Sequence, residues 1–212
     1  MSPARRRALL NWAERCGAAI IEDDYDTEFR FGGRPLEPLQ TLDTSSRVLY
    51  VGSFSKTMLP TIRLGFLVAP PSLREAIHRA KFVSDWHTPT LTQAALAQFI
   101  RDGEFAHHLR RMSNVYRERH ALLTKTLEHA LANELEIWPS TNGLHVAAVA
   151  RNLTTKQIDA WAARCASAGV GVQKLSMFRV DRPMVPGFAL AYGAIAREDI
   201  AEGLRRVRAC ME

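Results

Sequence analysis

Residues 50–70 read YVGSFSKTMLPTIRLGFLVAP, and the reading of this stretch decides the fold. It begins inside an apolar segment, RVLYVGSFS (47–55), and ends in a second one, GFLVA (65–69). Short apolar runs bounded by Gly, Ser and Pro predict buried strands. Between them stand Lys56, flanked by Ser55 and Thr57, and Arg63, seven positions further on. Two strands joined by a cationic, hydroxyl-rich turn predict a sheet with a site at its strand ends.

Outward from this stretch, helices and strands alternate, which predicts an α/β protein. Ser2 is a suitable N-cap and Pro3 suits the first helical position, so a helix is expected through Leu9, Trp12, Ala13 and Cys16 to a stop at Gly17. A strand, AAIIE (18–22), follows. Ser72 and Glu75 have capping-box spacing and predict the start of the helix after GFLVA. From Leu91 to about Leu131, Phe105, Leu109, Met112, Tyr116, Leu123 and Leu127 keep one apolar face, as in one long helix. Strands LEIW (135–138) and GLHVAAV (143–149) come next. Thr154 and Gln157 cap a helix with Ile158, Trp161, Ala162 and Cys165 inward; two strands and a last helix carrying Ile200, Leu204, Val207 and Met211 complete the chain. We set a boundary inside the long helix, giving domains 1–111 and 112–212. Trp12, Trp138 and Trp161 are expected in helix or strand cores, and Trp86 in SDWHTP is left unassigned.

The 212 residues are 47% hydrophobic and 24% charged, a globular composition large enough for one domain or two small ones. No apolar run approaches the length of a membrane span, and MSPARRRALL does not read as a signal peptide. Cys16, Cys165 and Cys210 lie far apart, which fits reduced thiols in a cytoplasmic protein. The net charge of +6 permits contact with nucleic acid, but the arginines are scattered as on solvated helix faces. His107, His108 and His120 have no carboxylate cluster of ligand spacing beside them, so no metal site is expected.

Three features carry chemistry. The run Glu22-Asp23-Asp24-Tyr25-Asp26 ends an apolar strand, where open α/β sheets bind ligands; taken alone it also reads as a solvated acidic turn. Lys56 follows a buried strand among small residues that would let a flat ring approach the backbone. Burial beside cationic groups would help it lose the proton it must lose to attack an aldehyde. An exposed strand-end lysine is the plain alternative. Arg63 can bind a phosphate bidentately and stays charged. Acid, then lysine, then arginine supply the three groups that pyridoxal-phosphate (PLP) chemistry needs: a carboxylate for the pyridine nitrogen, an amine for the aldehyde, and cationic and hydroxyl groups for the phosphate.

With IIEDDYDTEFRF (20–31), YVGSFSKTMLPTIRLGFLVAP (50–70) and HTPTLTQAALAQFI (87–100) in view, the sequence resembles the fold-type-I aminotransferase superfamily. Within it the sequence is most similar to the aminotransferase-like domain of MocR-type (GntR-superfamily) transcriptional regulators. The resemblance covers essentially the whole chain. It implies an α/β fold, the C-terminal half of a fold-type-I aminotransferase: a partial PLP-binding large domain (1–111) and a complete small α+β domain (112–212). It implies that Lys56 takes the cofactor's aldehyde, Asp23 pairs with the pyridine nitrogen, Tyr25 hydrogen-bonds the ring hydroxyl oxygen, and Ser53 and Arg63 contact the phosphate. The two-residue spacing from Asp23 to Tyr25 looks like the regulator branch.

Two departures stand out. Ala189 occupies the position of the arginine that holds a substrate carboxylate in aminotransferases; Arg179 and Arg182 lie nearby in sequence, and His145 lies on a strand that faces the cofactor in relatives. The resemblance also begins midway through the family's domain. The N-terminal winged helix and the first half of the large domain are expected to be absent, leaving an unfilled slot between the strand before Asp23 and the strand before Lys56. The resemblance thus implies a PLP-binding sensor portion of a regulator, homodimeric, reaching DNA only through an N-terminal domain outside this chain. Its ligand would be an amine or amino acid. The alternatives are a truncated class I/II aminotransferase and a fragment with no activity of its own.

Overall fold

The computed structural model of the chain describes residues 1–31, 37–140, 143–178 and 185–211. Arg179 and Arg182 lie outside the described residues. The described chain divides into two compact units. One holds residues 1–28 and the described residues from 37 to 109; the other holds residues 29–31 and those from 110 onward.

The first unit contains α1 (Pro3–Cys16), β1 (Ile20–Asp24), α2 (Leu39–Leu42), β2 (Val48–Ser53), β3 (Gly65–Val68), α3 (Pro71–Asp85), α4 (Thr90–Arg101) and the start of α5 (Glu104–Ala130). The ends of α1 follow the sequence rules. The Ser2 side chain accepts from the Arg5 amide at 3.4 Å, and Gly17 closes the helix in the left-handed region. The three strands form one sheet in the order β1-β2-β3. β1 and β2 run parallel, from Ile20 opposite Val48 to Asp24 opposite Gly52, and β3 returns antiparallel, with Ser53 opposite Gly65.

This register corrects one expectation. No slot lies between the strands before Asp23 and Lys56, because β1 and β2 hydrogen-bond to each other directly over five residue pairs. The segment between them includes α2 and is long enough for the crossover that parallel neighbours need. Among the described residues, the edges without a strand partner are instead the outer ones of β1 and β3.

Two helix starts and stops also differ from expectation. Ser72 and Glu75 form no capping box: α3 begins at Pro71 with Pro70 as its cap residue, which puts Ser72 inside the first turn. Glu75 pairs with Arg79 one turn on. The long helix is two helices, because Gly103, at φ 79°, takes the left-handed conformation that ends α4 and lets α5 start afresh. Trp12 and Trp138 are about half exposed, so of the three tryptophans expected in cores only Trp161 is there.

The second unit adds β4 (Leu135–Ile137), β5 (His145–Ala150), α6 (Thr155–Ser167), β6 (Gln173–Lys174), β7 (Gly187–Ala191) and α7 (Asp199–Ala209). Its antiparallel sheet has the order β4-β5-β7-β6. Val146, Ala148 and Ala150 of β5 and Phe188 and Leu190 of β7 alternate onto one buried face. Against it, Trp161 meets Phe188 edge-to-face at 5.1 Å, while the indole nitrogen of Trp161 donates to the Val207 carbonyl at 2.8 Å, tying α6 to α7. Fully buried side chains such as Trp161, Phe188, Leu127, Ile158 and Ile200 each contribute about 1.5–3 kcal/mol. The capping box on α6 forms as expected: the Thr154 hydroxyl takes the Gln157 amide, and the Gln157 side chain takes the Thr154 amide.

Candidate functional site

All five sequence-predicted site residues lie in the first unit. β1 separates the three acids it carries. Side chains alternate along a strand, so Glu22 and Asp24 share one face and Asp23 takes the other. Glu22 is committed: its two carboxylate oxygens accept the amides of Leu39 and Gln40 at 2.8 and 3.0 Å, at the start of α2. Asp24 is committed as well. It accepts the Tyr50 hydroxyl at 2.8 Å and the Thr27 amide at 3.3 Å. Burial first, then this hydrogen bond and the charge of Asp24, push the Tyr50 phenol well above its usual range, so it stays a donor. Asp23, on the opposite face, is exposed.

The register then brings Asp23 and Ser53 together. Asp23 lies opposite Val51, and Ser53 is two residues further along β2, so both side chains project from the same face. They are separated by about 7 Å along the strand direction. Ser53 ends β2, and its Oγ accepts the Ser55 amide at 3.1 Å, which starts the turn that carries Lys56. That turn closes when the Met58 amide donates to the Phe54 carbonyl at 2.8 Å. Lys56 sits on it exposed, not buried among cations as its sequence context suggested. Tyr25, just past β1, is 49% exposed. The charge of Asp26, then burial, then the charge of Asp23 raise its phenol above the usual range.

Arg63 follows a single 3-10 turn, Pro60–Ile62, and is itself left-handed at φ 51°. That conformation costs a non-glycine residue about 1–2 kcal/mol. The next residue holds it there: Leu64 is buried, and its carbonyl accepts the Phe54 amide at 3.1 Å. The Arg63 side chain is exposed.

Around Gly52 a flat ring does approach the backbone, but it is the ring of Phe66. A Cβ on Gly52 would collide with it, so glycine is needed on the face away from Asp23. Phe66 also packs on Tyr50 and Phe54, with centroids 5.9 and 5.6 Å away. Glu22, Tyr50 and Phe66 support the site without having been expected there. Strand parity was the one visible signal for Glu22, whereas Tyr50 and Phe66 require the register.

In the second unit, Ala189 lies mid-strand in β7, opposite Ala147 and Gln173, and His145 is exposed at the start of β5 opposite Ala191. An alanine there offers no donor to a carboxylate. Among the described residues no group of three or more His, Cys, Asp or Glu could hold a metal ion, and no helix is long and apolar enough to cross a membrane.

The candidate site residues stand on an α/β sheet: an acid and a hydroxyl on one face of a parallel strand pair, with a lysine turn and an exposed arginine following it. The chain belongs to the aminotransferase class I and II family, whose pattern it matches over residues 1–207. It is 36% identical to the uncharacterized HTH-type transcriptional regulator YhdI of Bacillus subtilis (strain 168), over 98% of this chain and 44% of that protein. It is 39% identical to the probable rhizopine catabolism regulatory protein MocR of Rhizobium meliloti, over 96% of this chain and 41% of that one. Among solved structures it is similar to LysN, an α-aminoadipate aminotransferase of Thermus thermophilus complexed with N-(5'-phosphopyridoxyl)-L-leucine. The TM-score is 0.86 at 28% identity, over 97% of this chain and 53% of that one. The chain thus spans less than half the length of the two regulators. For PLP the residues present fit: Asp23 and Ser53 share a face, and Arg63, just past the lysine turn, is exposed.

Proposed function

We propose that this chain is the PLP-binding effector part of a MocR-type transcriptional regulator, in which PLP with an amine or amino-acid ligand sets the state of the protein. The observation that carries the reading is the division of the three acids on β1: Glu22 and Asp24 serve the fold, and Asp23 lies on the face of Ser53. When bound, PLP supplies an electron-withdrawing ring and an aldehyde that captures amines. Asp23 would face its ring nitrogen and the Tyr25 hydroxyl would donate to the ring oxygen. Ser53 Oγ and the Arg63 guanidinium would hold the phosphate, and Lys56 Nζ would be the amine placed for the aldehyde. Residues 1–111 act as the partial large domain and 112–212 as the small domain. The working form is a homodimer that reaches DNA through an N-terminal domain outside this chain.

Similarity to named regulators over nearly the whole chain supports the sensor reading, as does Ala189, which cannot make the paired hydrogen bonds a substrate carboxylate needs. The second reading is a class I/II aminotransferase, supported by the likeness to LysN and by Lys56, the group that would carry protons in transamination. PLP and candidate amino acids added to the purified protein separate the two. The sensor reading expects PLP capture at Lys56 without conversion to pyridoxamine phosphate. Multiple-turnover formation of pyridoxamine phosphate and a keto acid would establish the enzyme instead.

A further inference from the structure

The lysine turn is held by the beginning of α5. At its front, the Phe54 ring meets Phe105 edge-to-face at 5.8 Å; at its back, Nε2 of His108 lies 3.0 Å from the Thr57 carbonyl oxygen. Phe105 and His108 are three residues apart and therefore share a helix face. Thr57 is 1% exposed, and its Oγ1 has no hydrogen-bond partner among the described residues, so this corner is closed to water. A carbonyl only accepts, which makes Nε2 the protonated nitrogen of His108. The carbonyl it holds belongs to the residue next to Lys56, and α5 continues from this contact as one helix to Ala130.

We infer that His108 is a positioning residue for Lys56: its hydrogen bond fixes the peptide beside the lysine and couples the lysine turn to α5, so that a change at Lys56 is felt in the first turns of that helix. The inference rests on the PLP reading above. Among the described residues, turn and helix share one contact with a defined donor and acceptor. Removing the donor leaves a buried carbonyl unsatisfied, a loss that shifts such an equilibrium about tenfold. The glutamine amide can replace the imidazole N–H at this reach, asparagine is too short, and leucine cannot donate.

The test uses the full chain with PLP as the probe. The rate of capture at Lys56 is followed by borohydride reduction and mass spectrometry, and hydrogen exchange is measured over residues 104–112 with and without PLP. In the wild type, PLP slows exchange in this segment. His108→Leu is expected to capture PLP about tenfold more slowly and to lose the change in exchange, with His108→Gln restoring most of both. Should His108→Leu fail to fold, His108→Asn takes its place and must behave as a slow variant beside a fast His108→Gln. The inference is overturned if the non-donating variants capture PLP at the wild-type rate with the same exchange response. It is equally overturned if His108→Gln is as slow as His108→Leu at equal thermal stability. A wild-type chain that captures no PLP overturns the PLP reading, and this inference with it.

Discussion

Asp23 and Asp24 are adjacent, chemically identical and assigned to opposite jobs, so their alanine variants must give crossed results. Asp24→Ala removes the acceptor of the Tyr50 hydroxyl at 2.8 Å and of the Thr27 amide at 3.3 Å. A hydrogen bond to a charged partner is worth about 1.5–3 kcal/mol, and the longer, exposed Thr27 bond adds little. Something is returned: Glu28, whose carboxyl is raised first by burial and then by the charges of Asp24 and Asp26, loses one repelling neighbour. A net loss of about 1–2 kcal/mol follows, which in a chain of this size lowers Tm by about 2–8 °C. Tyr50→Phe should cost a similar amount, and the double variant little more, giving a coupling of about 1–2 kcal/mol. Asp23→Ala, at an exposed position, should change stability by no more than about 0.5 kcal/mol. PLP titrations by absorbance should show the reverse. Asp23→Ala weakens binding at least about tenfold by losing the ring-nitrogen partner, while the folded Asp24→Ala protein binds within about threefold of wild type. If Asp24→Ala abolishes PLP binding at unchanged Tm while Asp23→Ala binds normally, the assignment of the two faces is wrong.

Three further outcomes are expected. Arg63→Lys keeps the charge but loses the paired donors, so PLP affinity should fall about tenfold with Tm nearly unchanged; equal affinity would remove Arg63 from the phosphate site. The Cys165 thiol is pushed up to about 11, chiefly by burial and then by Cys210. A raised folded value favours the neutral thiol, so this contribution to stability is present below the unfolded pKa near 9 and is lost as pH rises through about 11; Cys165→Ala should flatten that alkaline loss, and a thiol reagent at pH 8 should label exposed Cys16 well before Cys165. Burial beside the Phe31 and Tyr192 rings lowers the His120 imidazole below its ordinary value of 6.5. The unfolded chain therefore binds the proton more readily, stability should fall as pH drops below about 6.5, and His120→Phe should weaken that dependence in pH-resolved denaturation.

Local signals were legible in the sequence where the partner groups lie within one turn of each other. Ser2 with Pro3, and Thr154 with Gln157, specify their helix starts without outside help. The Ser72–Glu75 pattern misled because two prolines before it claimed the start of the helix. The run from Leu91 to Leu131 misled because apolar periodicity continues through a single left-handed glycine, Gly103. The candidate site stands in the sequence as residue types in order: Asp23, Tyr25, Ser53, Lys56 and Arg63. Which acid serves the fold was not legible, because that depends on β1 pairing with β2 in one register and on Tyr50 lying within reach of Asp24. The hold of His108 on the lysine turn joins residues 51 positions apart and leaves no local trace.

The central claim is that Lys56 is the residue that takes the PLP aldehyde. The chain has four other lysines, Lys81, Lys125, Lys156 and Lys174, of which Lys81 and Lys174 are paired with Asp85 and Asp159. Incubation with PLP, reduction with borohydride and peptide mapping by mass spectrometry reads the site directly. The expected result is one phosphopyridoxyl group per chain, on the peptide containing Lys56, and its loss in Lys56→Ala. Labelling spread over the other lysines, or unchanged in Lys56→Ala, would contradict the claim.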